Sequence, residues 1–110
     1  MVQSSEVQEN LSLEIRRGAI VLAVLGALVE EAYGYALRKS LSERGLDVEE
    51  GTLYPLLRRL ESQGLLRSRW RVENGRRRRY YRTTDDGDAV RAELTVDWDD
   101  LTRAMEAILS

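Results

Sequence analysis

Residues 64–84 read GLLRSRWRVENGRRRRYYRTT. Leu66, Ser68, Trp70 and Val72 alternate with Arg67, Arg69 and Arg71, the period of two that separates the faces of a strand. Asn74-Gly75 is the two-residue turn that a tight hairpin prefers. The return strand is expected from about Arg78 to Thr83. Thr84-Asp85-Asp86 then offers an N-cap threonine and two acids where a helix N-terminus favours negative charge. The stretch is therefore a hairpin with an arginine-rich tip, followed at once by a helix.

Upstream, the period is helical. Leu53, Leu56, Leu57 and Leu60 recur at three and four, predicting a helix from about Glu49 to Gln63 that Gly64 stops. Pro55 falls in this pattern near the helix start, where a missing amide costs little, so Thr52 and Tyr54 are expected in the first turns. A shorter helix is expected from about Tyr35 to Arg44, with Ala36, Leu37 and Leu41 inward and Gly45 as its C-cap. Tyr33-Gly34-Tyr35 separates it from a densely apolar helix over Leu11 to Val29. Arg16-Arg17 before the apolar run Ala19–Val29 superficially resembles a secretory leader. Eleven apolar residues fall short of the ~20 that span a membrane, and Glu30-Glu31 follow in place of a cleavage pattern, so the run reads as a core helix.

Downstream, residues 85–109 form one long helix. Leu94, Trp98, Leu101, Met105 and Ile108 step by four and three, and Val90 extends the seam by a turn. Such a heptad seam predicts a second copy of the chain as partner. The order of helix, helix, helix, hairpin, long helix defines the expected fold: mainly α with a small β-hairpin, a winged helix-turn-helix plus a C-terminal dimerisation helix. Its expected divisions are a frayed N-terminus at 1–10, a winged helix-turn-helix domain at 11–84, and the dimerisation helix at 85–110.

The charge follows the same plan. The chain of 110 residues has a formal net charge of -2. Residues 67–82 nevertheless carry eight arginines against Glu73, and residues 85–110 carry eight acids against Arg91 and Arg103. A polyanion would meet a focused basic patch of +7. The helix at 49–63 turns its leucines inward and leaves Glu50, Thr52, Tyr54, Arg58 and Arg59 outward. Thr52 suits a base edge or thymine methyl, Tyr54 a phosphate, and Arg58 or Arg59 a phosphate or guanine. An amphipathic helix with a solvated face would show the same residue types. The hairpin decides between them: Arg76, Arg77, Arg78 and Arg79 repel one another in water but replace condensed counterions against a duplex. The expected partner is double-stranded DNA. Tyr33 and Tyr35 can each touch a phosphate or pack; Trp70 and one of Tyr80 and Tyr81 are expected in the core, with the other tyrosine outward.

Other classes are excluded by what is missing. The sequence holds no cysteine and no histidine, removing disulfides, thiolates and the commonest general base and metal ligand. The acid pairs Glu30-Glu31, Asp85-Asp86 and Asp99-Asp100 are sequence neighbours that diverge by ~100° on a helix. No glycine-rich phosphate loop occurs. An enzyme is not expected, nor are cofactors, a metal or a membrane partner.

These pieces together resemble the PadR-like transcription regulators. The resemblance is carried by Tyr33-Gly34-Tyr35, Glu50-Gly51-Thr52-Leu53-Tyr54-Pro55, Leu56-Leu57-Arg58-Arg59-Leu60-Glu61 and Gly64-Leu65-Leu66. It continues through the arginine run into Tyr80-Tyr81-Arg82 and through Thr84 with Gly87, spanning about residues 13–109. It implies a cytoplasmic, dimeric winged-helix repressor on a palindromic operator, with Thr52 and Tyr54 on the recognition helix and Arg76–Arg79 on the wing. It also implies that the first and last helices dimerise, and that Trp98 matches a tryptophan with which some relatives bind a planar aromatic or phenolic effector. An aromatic filling the seam is the favoured reading of Trp98, since the sequence shows no cavity, and the acidity of the last helix departs from the family. The rival reading is a dimeric small-molecule sensor or protein-interaction module around Trp98 with little DNA binding; RNA is a further possible partner.

Overall fold

Leucines at helical spacing draw three helices around one core, and a three-stranded sheet closes its end. The computed structural model describes residues 4–110. The elements run α1 (Ser4–Ala27), β1 (Ala32–Tyr33), α2 (Gly34–Glu43), α3 (Glu50–Ser62), β2 (Leu66–Glu73), β3 (Arg76–Thr83) and α4 (Asp85–Leu109). The sheet is antiparallel in the order β1-β3-β2. Val24, Leu25 and Leu28 meet Leu37 of α2, Leu53, Leu57 and Leu60 of α3, and Leu66 of β2, all buried in one cluster. Burying each such side chain stabilises the fold by roughly 1.5–3 kcal/mol relative to exposure.

The hairpin turn forms as its residues predict. Asn74 and Gly75 both take positive φ, at 52° and 76°, the pair of left-handed residues that a type I′ turn demands. Cross-strand partners then run without a slip from Glu73 opposite Arg76 to Leu66 opposite Thr83.

Four expectations need correction. First, residues 4–10 of the expected frayed tail belong to α1. Nothing between Ser4 and Asn10 breaks a helix, so the backbone ladder simply continues outward on exposed residues; residues 1–3 lie outside the described residues. Second, Ala32 and Tyr33 form a strand, paired with Tyr81 and Tyr80. Two residues are too few to display an alternation.

Third, the wing's aromatics divide differently. Tyr80 and Tyr81 are both 7% exposed, because Tyr33 of β1 and the Arg71 side chain cover the face that should have been open. Trp70 is 52% exposed. Along its face Leu66 is buried, Ser68 half-buried and Val72 exposed: the strand outruns the helices, which cover only its base. Fourth, Pro55 is the sixth residue of α3, beyond the turn whose amides lack partners. Its missing amide leaves the carbonyl of Gly51, one turn earlier, without a helical donor, and both residues are exposed, so water can reach that carbonyl.

The start of α4 is fixed by a close crossing. The Thr84 hydroxyl accepts from the Gly87 amide at 3.0 Å and donates to the Gly64 carbonyl at 2.6 Å, while the Thr84 amide donates to the Leu65 carbonyl at 3.1 Å. Gly87 is buried there, and a Cβ on it would collide with that same Leu65 carbonyl. Beyond this point Val90 and Leu94 pack on the core of their own chain, and every residue from Thr95 to Ser110 is exposed.

Candidate nucleic-acid interface

Arg38 sets the angle between α2 and α3. Its Nε donates to the Val48 carbonyl at 2.9 Å, and its Nη1 lies 3.2 Å from the Glu50 carboxylate. Gly45, at φ 97°, turns the chain out of α2, a conformation that costs an L side chain energy. Tyr33-Gly34-Tyr35 then places Gly34 under the ring of Tyr54: a Cβ on Gly34 would run into Cε1 of that ring. The glycine holds Tyr54 where it is by leaving room for it.

Tyr35, Tyr54 and Arg58 share a cleft of about 530 Å³ with Arg76, Arg78 and Arg79 of the wing. Six residues singled out from the sequence are thus brought together, by two helices and a hairpin. The other four are not. Thr52 lies on the opposite flank of α3, across a second cleft from Arg16 and Arg17. Glu50 is engaged by Arg38, Arg59 is exposed outside the first cleft, and Arg77 is turned onto Trp70, its guanidinium carbon 4.4 Å from the ring centroid.

The arginine run is not uniform. Arg79 donates to Glu61 at 2.9 Å and through Nε to the Ser68 hydroxyl at 2.9 Å, and that hydroxyl donates to Glu61 at 2.5 Å. This triangle joins the end of α3 to the wing, so Arg79 acts as a strut. Arg78 stacks on Tyr33 at 4.4 Å, which leaves its in-plane donors open. On the same sheet face Glu31 takes both Arg69, at 2.7 Å, and Arg71, at 3.3 Å. The hydrogen bond from Arg69 holds the Glu31 carboxyl below its usual pKa, although burial opposes this. The Tyr80 hydroxyl donates to Glu73 at 2.5 Å, and that bond, with burial, pushes its pKa up. Among the described residues Arg58, Arg59, Arg76, Arg77 and Arg78 have no carboxylate partner. Their charge is left for something outside the chain.

Sequence reasoning missed Glu61 and the outward Trp70, while Tyr33, weighed for a phosphate or for packing, packs against Tyr80 and under Arg78 at the edge of the cleft. Glu61 was legible as a lone acid at the end of a basic helix face; the outward Trp70 gave no signal, since its alternation matched a core position.

A helix pair whose second helix borders a basic wing defines a winged helix-turn-helix, the architecture that presents a helix and a hairpin to duplex DNA. Comparison with known proteins places it further. The profile of the Transcriptional regulator PadR-like family matches residues 21–93. The transcriptional regulator Rv3488 of Mycobacterium tuberculosis is 46% identical over 96 residues, covering 86% of this chain and 83% of the relative. The crystal structure of a PadR family transcriptional regulator from Eggerthella lenta superposes with a TM-score of 0.90 at 45% identity, over 100% of this chain and 98% of the other. A PadR-like transcription factor from Bacteroides fragilis superposes at 0.75 with 35% identity, over 90% and 98%. The chain belongs to the PadR-like family of transcriptional regulators, and its family function is DNA-binding regulation. Among the described residues no helix is long and apolar enough to cross a membrane.

Proposed function

We propose that the protein is a homodimeric repressor that binds a palindromic operator, with α3 in the major groove and the wing on the adjacent backbone or minor groove. Residues 11–84 are the DNA-binding domain and residues 85–110 the dimerisation helix. One observation carries this reading: Tyr54 and Arg58 of α3 border the same cleft as Arg76 and Arg78 of the wing. Helix and hairpin therefore face one ligand, and cation-rich walls with phenol and guanidinium donors suit a phosphate backbone. Tyr35 supports the same surface. Thr52, on the other flank of α3, suits the base edges, with Arg59 and Glu50 at its sides. Trp98, Leu101, Met105 and Ile108, exposed on α4, form the seam with a second copy, while Val90 and Leu94 share their contact with their own core. Trp98 fills that seam, and a planar aromatic or phenolic effector would stack on it. The working location is the cytoplasm.

Fluorescence anisotropy on a labelled duplex from upstream of the gene tests the reading. Tight binding that falls steeply with salt and survives scrambled competitor is expected, and Arg58→Ala or Arg76→Ala should each lower the salt slope by about one. Equal affinity for operator and scrambled duplex would sink operator specificity. No binding to any duplex by a folded dimer would leave a sensor or interaction module in its place.

A further inference from the structure

Trp70 is the largest side chain on the wing and is half exposed, at 52%. It stands on β2 directly opposite Arg79. Arg77 lies over its ring at 4.4 Å and Arg79 at 5.7 Å, and the indole lines the cleft with Tyr54 and Arg58. No core need explains it, since along its strand face burial fades from Leu66 through Ser68 and Val72 beyond it is exposed. An aromatic in water beside a recognition helix leaves apolar area unused. We propose that Trp70 is a direct DNA-contact residue: its ring packs on a deoxyribose of the strand passing between α3 and the wing, and Arg77, stacked on it, presents its free in-plane donors to the neighbouring phosphate. This rests on the DNA-binding reading above.

The surface fits that occupant for three reasons. The indole carries one donor and no acceptor, which matches a backbone made of acceptors. Stacked guanidinium keeps its edge donors free. The flanking Arg58, Arg76 and Arg78 supply the charge complementarity that brings a phosphate strand there. A sugar contact carries no base information, so Trp70 should contribute affinity without sequence preference.

The protein has two tryptophans, Trp70 and Trp98. The difference in emission between the wild type and Trp70→Phe isolates the Trp70 signal without touching the seam; Trp98→Phe provides the same signal directly. On titration with operator duplex, that signal is expected to shift and to become protected from acrylamide. Trp70→Ala should weaken operator and scrambled duplex alike by about tenfold, with the melting curve kept, and should still weaken binding in an Arg77→Ala background. An unmoved Trp70 signal with unchanged Trp70→Ala affinity, while the wild type binds operator, would overturn the inference and leave the regulator reading intact. An unmoved Trp70 signal together with a Trp70→Ala loss that vanishes in the Arg77→Ala background would overturn it too, because the indole would then act only by holding Arg77. If the wild type binds no duplex, the regulator reading fails first and the inference with it.

Discussion

At the residue scale, two glycines carry different demands, and each yields a test. Gly87 faces a backbone carbonyl, that of Leu65, which is itself pinned by the Thr84 amide. Neither side can give way, so Gly87→Ala should force α4 off the turn at Gly64 and cost roughly 2–3 kcal/mol, in the range of overpacking. Thermal unfolding should show it as a drop of about 4–8 °C per kcal/mol; a melting curve unchanged from wild type would contradict the crossing. Gly34 faces a side chain, the ring of Tyr54, which is only half-buried and can swing away. Gly34→Ala is therefore expected to leave the fold nearly as stable while weakening DNA binding, because the displaced ring lies on the helix proposed to enter the groove. Its effect on affinity should vanish in a Tyr54→Ala background, the non-additivity of two groups acting through one contact. Additive losses would show that Gly34 matters for some other reason.

At the element scale, the wing is held from both faces. Glu61 ties Arg79 and Ser68 to α3 on one side, and Glu31 ties Arg69 and Arg71 to the approach of β1 on the other. The Glu31 carboxyl titrates below its usual value, chiefly through its hydrogen bond from Arg69. A depressed carboxyl contributes stability that is complete above the unfolded value of about 4.3 and is lost as pH falls through the lower folded value. Melting temperatures taken from pH 7 down to pH 3 should therefore fall more steeply below about pH 4.5 in wild type than in Glu31→Gln. Parallel curves would remove Glu31 from the acid response. These clamps also explain what was legible. Alternation and the Asn-Gly turn announced β2 and β3, and the leucine spacing announced α3, because each is a local repeat. The burial of Tyr80 and the exposure of Trp70 depend on a two-residue strand arriving from position 32 and on how far the core reaches along β2, where burial fades past Ser68. Both are facts of tertiary reach that no local period records. The cleft was legible in its residues, six of ten lining it, but not in the division of labour that turns Arg79 into a strut.

At the scale of the whole molecule, one copy is more extended than a self-sufficient domain. Its radius of gyration is 16.1 Å, with a longest extent of 52 Å, whereas a compact chain of this length has about 13 Å. The excess lies in two projecting helix ends. The outer turns of α1 expose Val7, Leu11 and Ile15 at spacings of four, and the end of α4 exposes Trp98, Leu101, Met105 and Ile108. Apolar stripes of this kind are left bare only where another surface covers them, and the two helices already pack together near their bases. The heptad spacing favours a second α4 as the cover, which would also set the two recognition helices at a fixed separation. A charge at the centre of that seam tests this: Leu101→Glu should sediment as a monomer at concentrations where wild type is a dimer. The core, which among the described residues takes in none beyond Leu94, should stay folded by circular dichroism. Operator affinity should then fall by at least about tenfold, since each copy reads one half-site without the gain of being linked to the other. A Leu101→Glu protein that remains dimeric would move the interface off α4. One that is monomeric yet binds operator as tightly would show that a single wing and recognition helix suffice.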